Sequence, residues 1–282
     1  MKIGLALGGG GARGLAHVLA LEALDACGIK PAMIAGTSMG AIVGALYAGG
    51  WSGRDLHAHL NDLLVGEGDG LRDKVRKKAE LVKWLTAVRP TRQGGGFLKA
   101  DRFLERLIEL IDAEQFEDLR IPLRVVATDF HSGEPAVFER GPLLPAILAS
   151  MSIPGVFVPV EHQGRILVDG GVVNNLPYQL LQNACDAVIA IDVAPARDAN
   201  RTDAPGVIDA TLGMFDTMVD AITQSMLDRA PPDIYVRPRL TGIRVLDFDK
   251  VEDVFAQARP SMLALKHVLR GGISRTPVRI TE

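Results

Sequence analysis

Cysteine is scarce in this chain: there are two in 282 residues, Cys27 and Cys185, far apart, in apolar surroundings and without metal-ligand spacing. That excludes a disulfide scaffold and a cysteine-based metal centre, so no metal is expected, and two inert thiols in a reducing, cytoplasmic compartment fit best. A strong charge of either sign is also lacking. The formal net charge is −3, which supplies no basic field, and nucleic acid is not an expected partner. There is no Pro/Ser-rich linker, low-complexity tract or repeat at a fixed period. One domain over residues 1–282 is therefore the simplest organisation. The apolar start, MKIGLALGGGGARG, is interrupted by four glycines and Arg13 before it reaches the length of a signal-peptide core, so export by this segment is not expected.

What is present is apolar material for a large core, 48% of residues, in a repeating order. Ile3 to Leu7 predicts a buried strand, followed by a glycine turn and a helix to about Cys27 with Leu15, Val18, Leu19 and Ala23 at helical spacing. A second strand over 32–35 runs into GTSMG and a helix to Tyr47, closed by Gly49 and Gly50. Further strands are expected at 123–129, 135–139, 165–169, 188–193 and 233–236. Helices are expected at 100–111, 176–184, 207–227 and 261–272. Strands alternating with helices, several strands being continuous Val/Ile runs, predict a layered α/β fold around a mostly parallel sheet.

Residues 31–53 carry no charge, and Gly36, Gly40 and Gly44 form overlapping G-x-x-x-G spacings. Three readings compete for this stretch. A transmembrane helix fits poorly, because Pro31, Thr37, Ser38, Ser52 and six glycines keep its hydropathy mediocre. Close packing of a buried helix accounts for Gly44, Ala45 and Ala48, but not for a serine at the strand–helix junction. The third reading is the nucleophile elbow Gly-x-Ser-x-Gly over Gly36, Ser38, Met39 and Gly40. There a tight turn presents the serine at a helix N-terminus, and the flanking glycines remove side chains that would clash.

Gly9, Gly11 and Gly14 also match G-x-G-x-x-G between a strand and a helix, the dinucleotide fingerprint. The second strand, however, ends Ile34-Ala35-Gly36 without the carboxylate that would hold a ribose, and no Gly-Lys-Ser/Thr follows the glycines. No nucleotide cofactor is expected. If the two strand ends are neighbours, the amides of residues 9–11 face Ser38 and suit a developing oxyanion instead.

A serine needs a proton acceptor. Of the six histidines, His17, His57, His59, His131, His162 and His267, none stands in a recognisable turn after a strand. An α/β-hydrolase order would leave only His267 after the best acid. That acid is Asp169, at the end of RILVD and followed by Gly170 and Gly171, which let the backbone turn sharply toward another loop. An ordinary Asp-Gly hairpin turn fits the segment equally well.

Gly9-Gly10-Gly11-Ala12-Arg13-Gly14, Gly36-Thr37-Ser38-Met39-Gly40 and Asp169-Gly170-Gly171, in that order and spacing, resemble the bacterial branch of the patatin-like phospholipase family. The stretches ATDFHSGEPAVF (127–138) and ASMSIPGVF (149–157) agree. The likeness covers a motif-bearing core of about residues 1–195 and leaves 196–282 as a C-terminal extension. It implies a three-layer α/β/α patatin-like fold and a serine hydrolase of lipid acyl esters, phospholipid or lysophospholipid, without metal or cofactor. Carried across, Ser38 is the nucleophile and Asp169 the base. The amides of Gly9, Gly10 and Gly11 form the oxyanion hole, with Arg13 as nearby support. Two rivals remain: an acyltransferase using the same serine, and a catalytically silent regulatory protein on the same scaffold.

Between residues 72 and 92 eight Lys and Arg stand against Asp73 and Glu80, interleaved with Leu81, Val82, Trp84, Leu85 and Val88. An amphipathic helix resting on an anionic membrane or covering the site is one reading, and a solvated face is the other. The first would place the protein at the inner face of the membrane.

Overall fold

The structure, a computed structural model, describes residues 1–64, 110–197, 206–273 and 276–281, together with 89–90, 98–99 and 204. The basic segment 72–92, apart from Arg89–Pro90, and most of the helix expected at 100–111 lie outside these residues. The strands are β1 (Ile3–Leu7), β2 (Met33–Thr37), β3 (Arg89–Pro90), β4 (Leu98–Lys99), β5 (Leu123–Asp129), β6 (Pro135–Phe138), β7 (Val160–His162), β8 (Arg165–Asp169), β9 (Ala187–Ile191), β10 (Ile234–Val236) and β11 (Val278–Ile280). The helices are α1 (Ala16–Ala26), α2 (Met39–Gly49), α3 (Gly53–Leu64), α4 (Leu143–Met151), α5 (Gln179–Gln182), α6 (Val207–Arg229) and α7 (Val251–Gly271).

The main sheet runs β11-β10-β9-β1-β2-β5-β8-β7, with β6 also on β5. From β11 through β5 every neighbour is parallel, while β6, β7 and β8 pair antiparallel. β1 and β9 are buried at every position, as strands covered on both faces must be. Along β1 the side chains alternate. Ile3, Leu5 and Leu7 enter the larger core with α1, α2, α4 and α7, while Ala6 faces a second cluster with Leu181 of α5, Leu227 of α6 and Tyr235. The result is a three-layer α/β/α fold on a mostly parallel sheet.

Differences from the sequence reading have local causes. β2 extends to Thr37 rather than ending at Ala35, so no loop separates it from Ser38. The helix expected at 176–184 is regular only over Gln179–Gln182, because its flanks close into three-residue turns such as Leu180 N–H to Pro177 O. α7 begins ten residues before Ser261: Val251, Val254, Phe255 and Ala258 already form its buried stripe, and Pro260 sits on the exposed side. α4, which the periodicity did not single out, covers the sheet beside β5 and β8.

β1 has a parallel neighbour on each side, β2 and β9. The chain therefore leaves its C-terminal end toward one side and returns later to the other, and that arrangement opens a crevice there. The glycine loop and Ser38 both stand at that end.

Candidate active site

Ser38 is the single residue between β2 and α2. Its backbone is at φ 53, ψ −122, a conformation that costs an L-residue about 1–3 kcal/mol and persists only where the surroundings enforce it. Here they do. The Ser38 N–H donates to Ser150 Oγ at 2.8 Å, and that hydroxyl donates to the Val126 carbonyl at 2.6 Å. The Ser38 carbonyl accepts from the N–H groups of Ala41 and Ile42, at 2.9 and 3.2 Å, as the first bonds of α2. The glycines beside Ser38 are set by close approach: a Cβ at Gly36 would stand 2.5 Å from the Gly40 carbonyl oxygen, and one at Gly40 would collide with the Leu7 carbonyl. Residues 31–53 thus form a strand, an elbow and an 11-residue helix, about 16 Å long. Among the described residues no helix is long and apolar enough to cross a membrane.

Asp169 reaches this elbow through strand pairing. Along β5, residues 125–128 bond to β6 on one edge, while the other edge is shared by two strands. β2 occupies it up to the pair Thr37–Val126, and β8, running the opposite way, takes over at Asp169–Ala127. The end of β8 therefore abuts the end of β2. A Cβ at Gly170 would strike the Val126 carbonyl, so only glycine lets the chain turn away at that point.

The Asp169 carboxylate accepts from the Gly171 N–H at 2.7 Å and borders the same cleft as Ser38. The Ser38 hydroxyl and the Gly171 N–H favour the charged form, but complete burial outweighs them and raises the carboxyl pKa to about 6. A carboxylate held there is a better proton acceptor than an exposed one, and it is still ionised at neutral pH.

In the glycine loop, the Gly9 N–H donates to the Asn175 carbonyl at 3.1 Å and the Ala12 N–H to the Val245 carbonyl at 2.8 Å. Among the described residues the amides of Gly10 and Gly11 have no protein acceptor, so two of the three expected donors are free to receive an anion. Gly11 lies at φ 56 against Val245, where a side chain would collide. Arg13 is buried and lines a cleft at Ser38. Its guanidinium donates to the Ile243 carbonyl at 3.2 Å and pairs with Asp216 of α6 at 2.8 Å, tying the loop to the C-terminal part of the chain.

No histidine borders the clefts at Ser38 among the described residues. His17 is fully buried, with its Nε2 2.7 Å from the Gly8 carbonyl, and desolvation pushes its pKa down to about 4, so it is neutral and donates that bond. His57 pairs with Glu22, and His162 packs on Phe138.

Two clefts meet at Ser38. One is apolar, walled by Ile42, Met151, Phe157, Val245, Leu246 and Phe248. The other holds Asp169, Asn175 and the Arg13–Asp216 pair, with Phe215 and Val219 of α6 as its apolar wall. Much of both walls comes from residues after 196, where the sequence offered no motif. Ser150 and Asn175 were also missed as individual residues, although each lies within or beside a stretch quoted for the resemblance. Nothing in residue type alone marks where a serine hydroxyl or an asparagine amide points.

The family described as patatin-like phospholipase matches residues 5–181. Over 242 residues the chain is 35% identical to the uncharacterized NTE family protein Mb1092c of Mycobacterium bovis, covering 81% of this chain and 61% of that one. It is 32% identical over 282 residues to the patatin-like phospholipase domain-containing protein ZK370.4 of Caenorhabditis elegans, covering 89% and 20%. To the lysophospholipase NTE1 of Candida glabrata it is 29% identical over 281 residues, covering 90% and 15%. The chain thus spans 61% of the length of the mycobacterial relative and a smaller part of the other two.

Proposed function

The chain belongs to the patatin-like phospholipase family, and from that membership we propose that it hydrolyses acyl esters of lipids through a Ser38–Asp169 dyad. The observation that carries this reading is the Ser38 hydroxyl in one cleft with a buried carboxylate whose pKa is raised to about 6, with no histidine bordering that cleft among the described residues. In the first half-reaction Ser38 Oγ attacks the acyl carbonyl carbon as its proton passes to Asp169. The carbonyl oxygen, now carrying the charge, is received by the Gly10 and Gly11 amides. The intermediate collapses by breaking the ester C–O bond, and the departing alcohol takes the proton from Asp169. A water then attacks the acyl-Ser38 carbonyl, giving its proton to Asp169. The fatty acid departs as Ser38 Oγ recovers that proton.

The apolar cleft suits one acyl chain, and the cleft with Arg13, Asp216 and Asn175 suits the more polar alcohol portion. Several relatives are named lysophospholipases, and a single-chain lysophospholipid matches a site in which one branch carries no charged side chain and the other carries Arg13, Asp169 and Asp216. In this reading residues 1–282 work as one unit, because the C-terminal part walls both clefts. An acyltransferase on the same serine would be expected to rely on a histidine, and none borders these clefts among the described residues. The test is fatty-acid release from lysophospholipid micelles: the wild type is expected to release it, and Ser38→Ala to release none.

A further inference from the structure

We propose that Asn175 is a positioning residue that aims the oxyanion-binding amides, an inference that rests on the dyad reading above. In a trans peptide the carbonyl and the following N–H point to opposite sides of one plane, so fixing one fixes the other. The Gly9 carbonyl accepts from Asn175 Nδ2 at 3.2 Å, which turns the Gly10 N–H away from Asn175. The Gly10 carbonyl accepts from the Arg13 N–H at 3.2 Å and sets the Gly11 N–H in the same manner. Upstream, the Gly8 carbonyl is held by His17 and the Gly9 N–H by the Asn175 backbone oxygen. Asn175 therefore grips Gly9 by both of its polar groups, once with its main chain and once with its side chain.

That grip is needed because a run of four glycines has no side chains to pack and wide conformational freedom. Asn175 is itself buried, and its amide orientation follows from its partner: reversed, it would set two oxygens against each other. It also stands at the end of the segment that carries Asp169. Within residues 169–175, Asp169 meets Ser38, the Asn174 carbonyl accepts from Thr37 Oγ1 at 2.9 Å, and Asn175 holds Gly9. One short stretch thus fixes the base, the elbow and the oxyanion hole relative to one another.

The experiment compares wild type, Ser38→Ala, Asn175→Ala and Asn175→Asp on a medium-chain nitrophenyl ester, with thermal melts and pH–rate profiles. Aspartate keeps the shape of asparagine and replaces its donor with an oxygen. Positioning predicts that kcat falls about 10- to 100-fold in both variants while KM stays within about threefold. It also predicts that the acid limb of Asn175→Ala remains near that of wild type. A space-filling role predicts that Asn175→Asp keeps wild-type kcat, and this variant decides the matter if Asn175→Ala does not fold. Undiminished kcat in Asn175→Asp, or a loss confined to KM, overturns the inference alone. Turnover that does not depend on Ser38 overturns it together with the dyad.

Discussion

Asp169 stands beside Ser38 because β8 continues, in the opposite direction, the edge of β5 that β2 leaves at Thr37. The two groups are 131 residues apart in sequence, yet they are placed by main-chain hydrogen bonds of one sheet rather than by loops. A site built on strand ends holds its geometry more tightly than one built on mobile connections.

The pH dependence follows from burial of the base. With Asp169 as the proposed base, kcat/KM is expected to rise with pH along a single acid limb centred near 6. A limb near 4, read from initial rates between pH 4 and 8, would mean that the carboxyl is not desolvated.

The same shift makes Asp169 a burden on stability. Its folded pKa of about 6 lies above the ordinary aspartate value of about 3.9, so its favourable contribution is complete below about pH 4 and is lost as pH rises through about 6. Asp169→Asn, which carries no charge, is therefore expected to exceed wild type by about 1–3 kcal/mol at pH 7–8. The two should converge near pH 4, while turnover falls about 10²- to 10⁴-fold. Urea unfolding at the two pH values, beside an ester assay, checks both halves.

Ser150 holds the strained elbow by accepting the Ser38 N–H. Ser150→Ala leaves that amide buried without a partner, at about 1–3 kcal/mol, and lets Ser38 relax. The expected result is a kcat lowered about tenfold or more with KM little changed, because orientation of the attacking hydroxyl matters more than binding. Thermal melting and steady-state kinetics on one ester are sufficient.

Acyl-chain preference should respond to the apolar cleft. Met151 is half-buried on its wall, and Met151→Trp shortens the space without touching Ser38 or Asp169. Each methylene excluded forfeits up to about 0.8 kcal/mol, about a fourfold effect. The variant should therefore keep its rate on a butyryl ester while losing tenfold or more in kcat/KM on a dodecanoyl ester. Equal losses on both would place the chain elsewhere.

Legibility in the sequence follows how local each feature is. β1, β5 and β8 appear at the expected residues because each is a continuous or alternating apolar run bounded by turn residues. The elbow was readable for the same reason: strand, Gly-x-Ser-x-Gly and apolar helix are contiguous. α7 was half-read, since Pro260 interrupts a stripe that the fold tolerates by turning the proline outward. Asp169 was legible as a candidate, but its approach to Ser38 depends on which edge of β5 receives β8, a non-local choice. Ser150, Asn175 and the walls supplied by Val245 and Phe215 belong to the same class. Their roles arise from where side chains point after the layers pack, and sequence periodicity does not encode that.

Whether Ser38 is an activated nucleophile is decided by labelling with a fluorophosphonate probe, read by intact mass and peptide mapping on wild type, Ser38→Ala and Asp169→Asn. A Ser38 nucleophile activated by Asp169 gives one adduct per chain, located on Ser38, absent from Ser38→Ala and strongly slowed in Asp169→Asn. A folded wild type that takes no adduct, or an adduct that persists in Ser38→Ala, would contradict it.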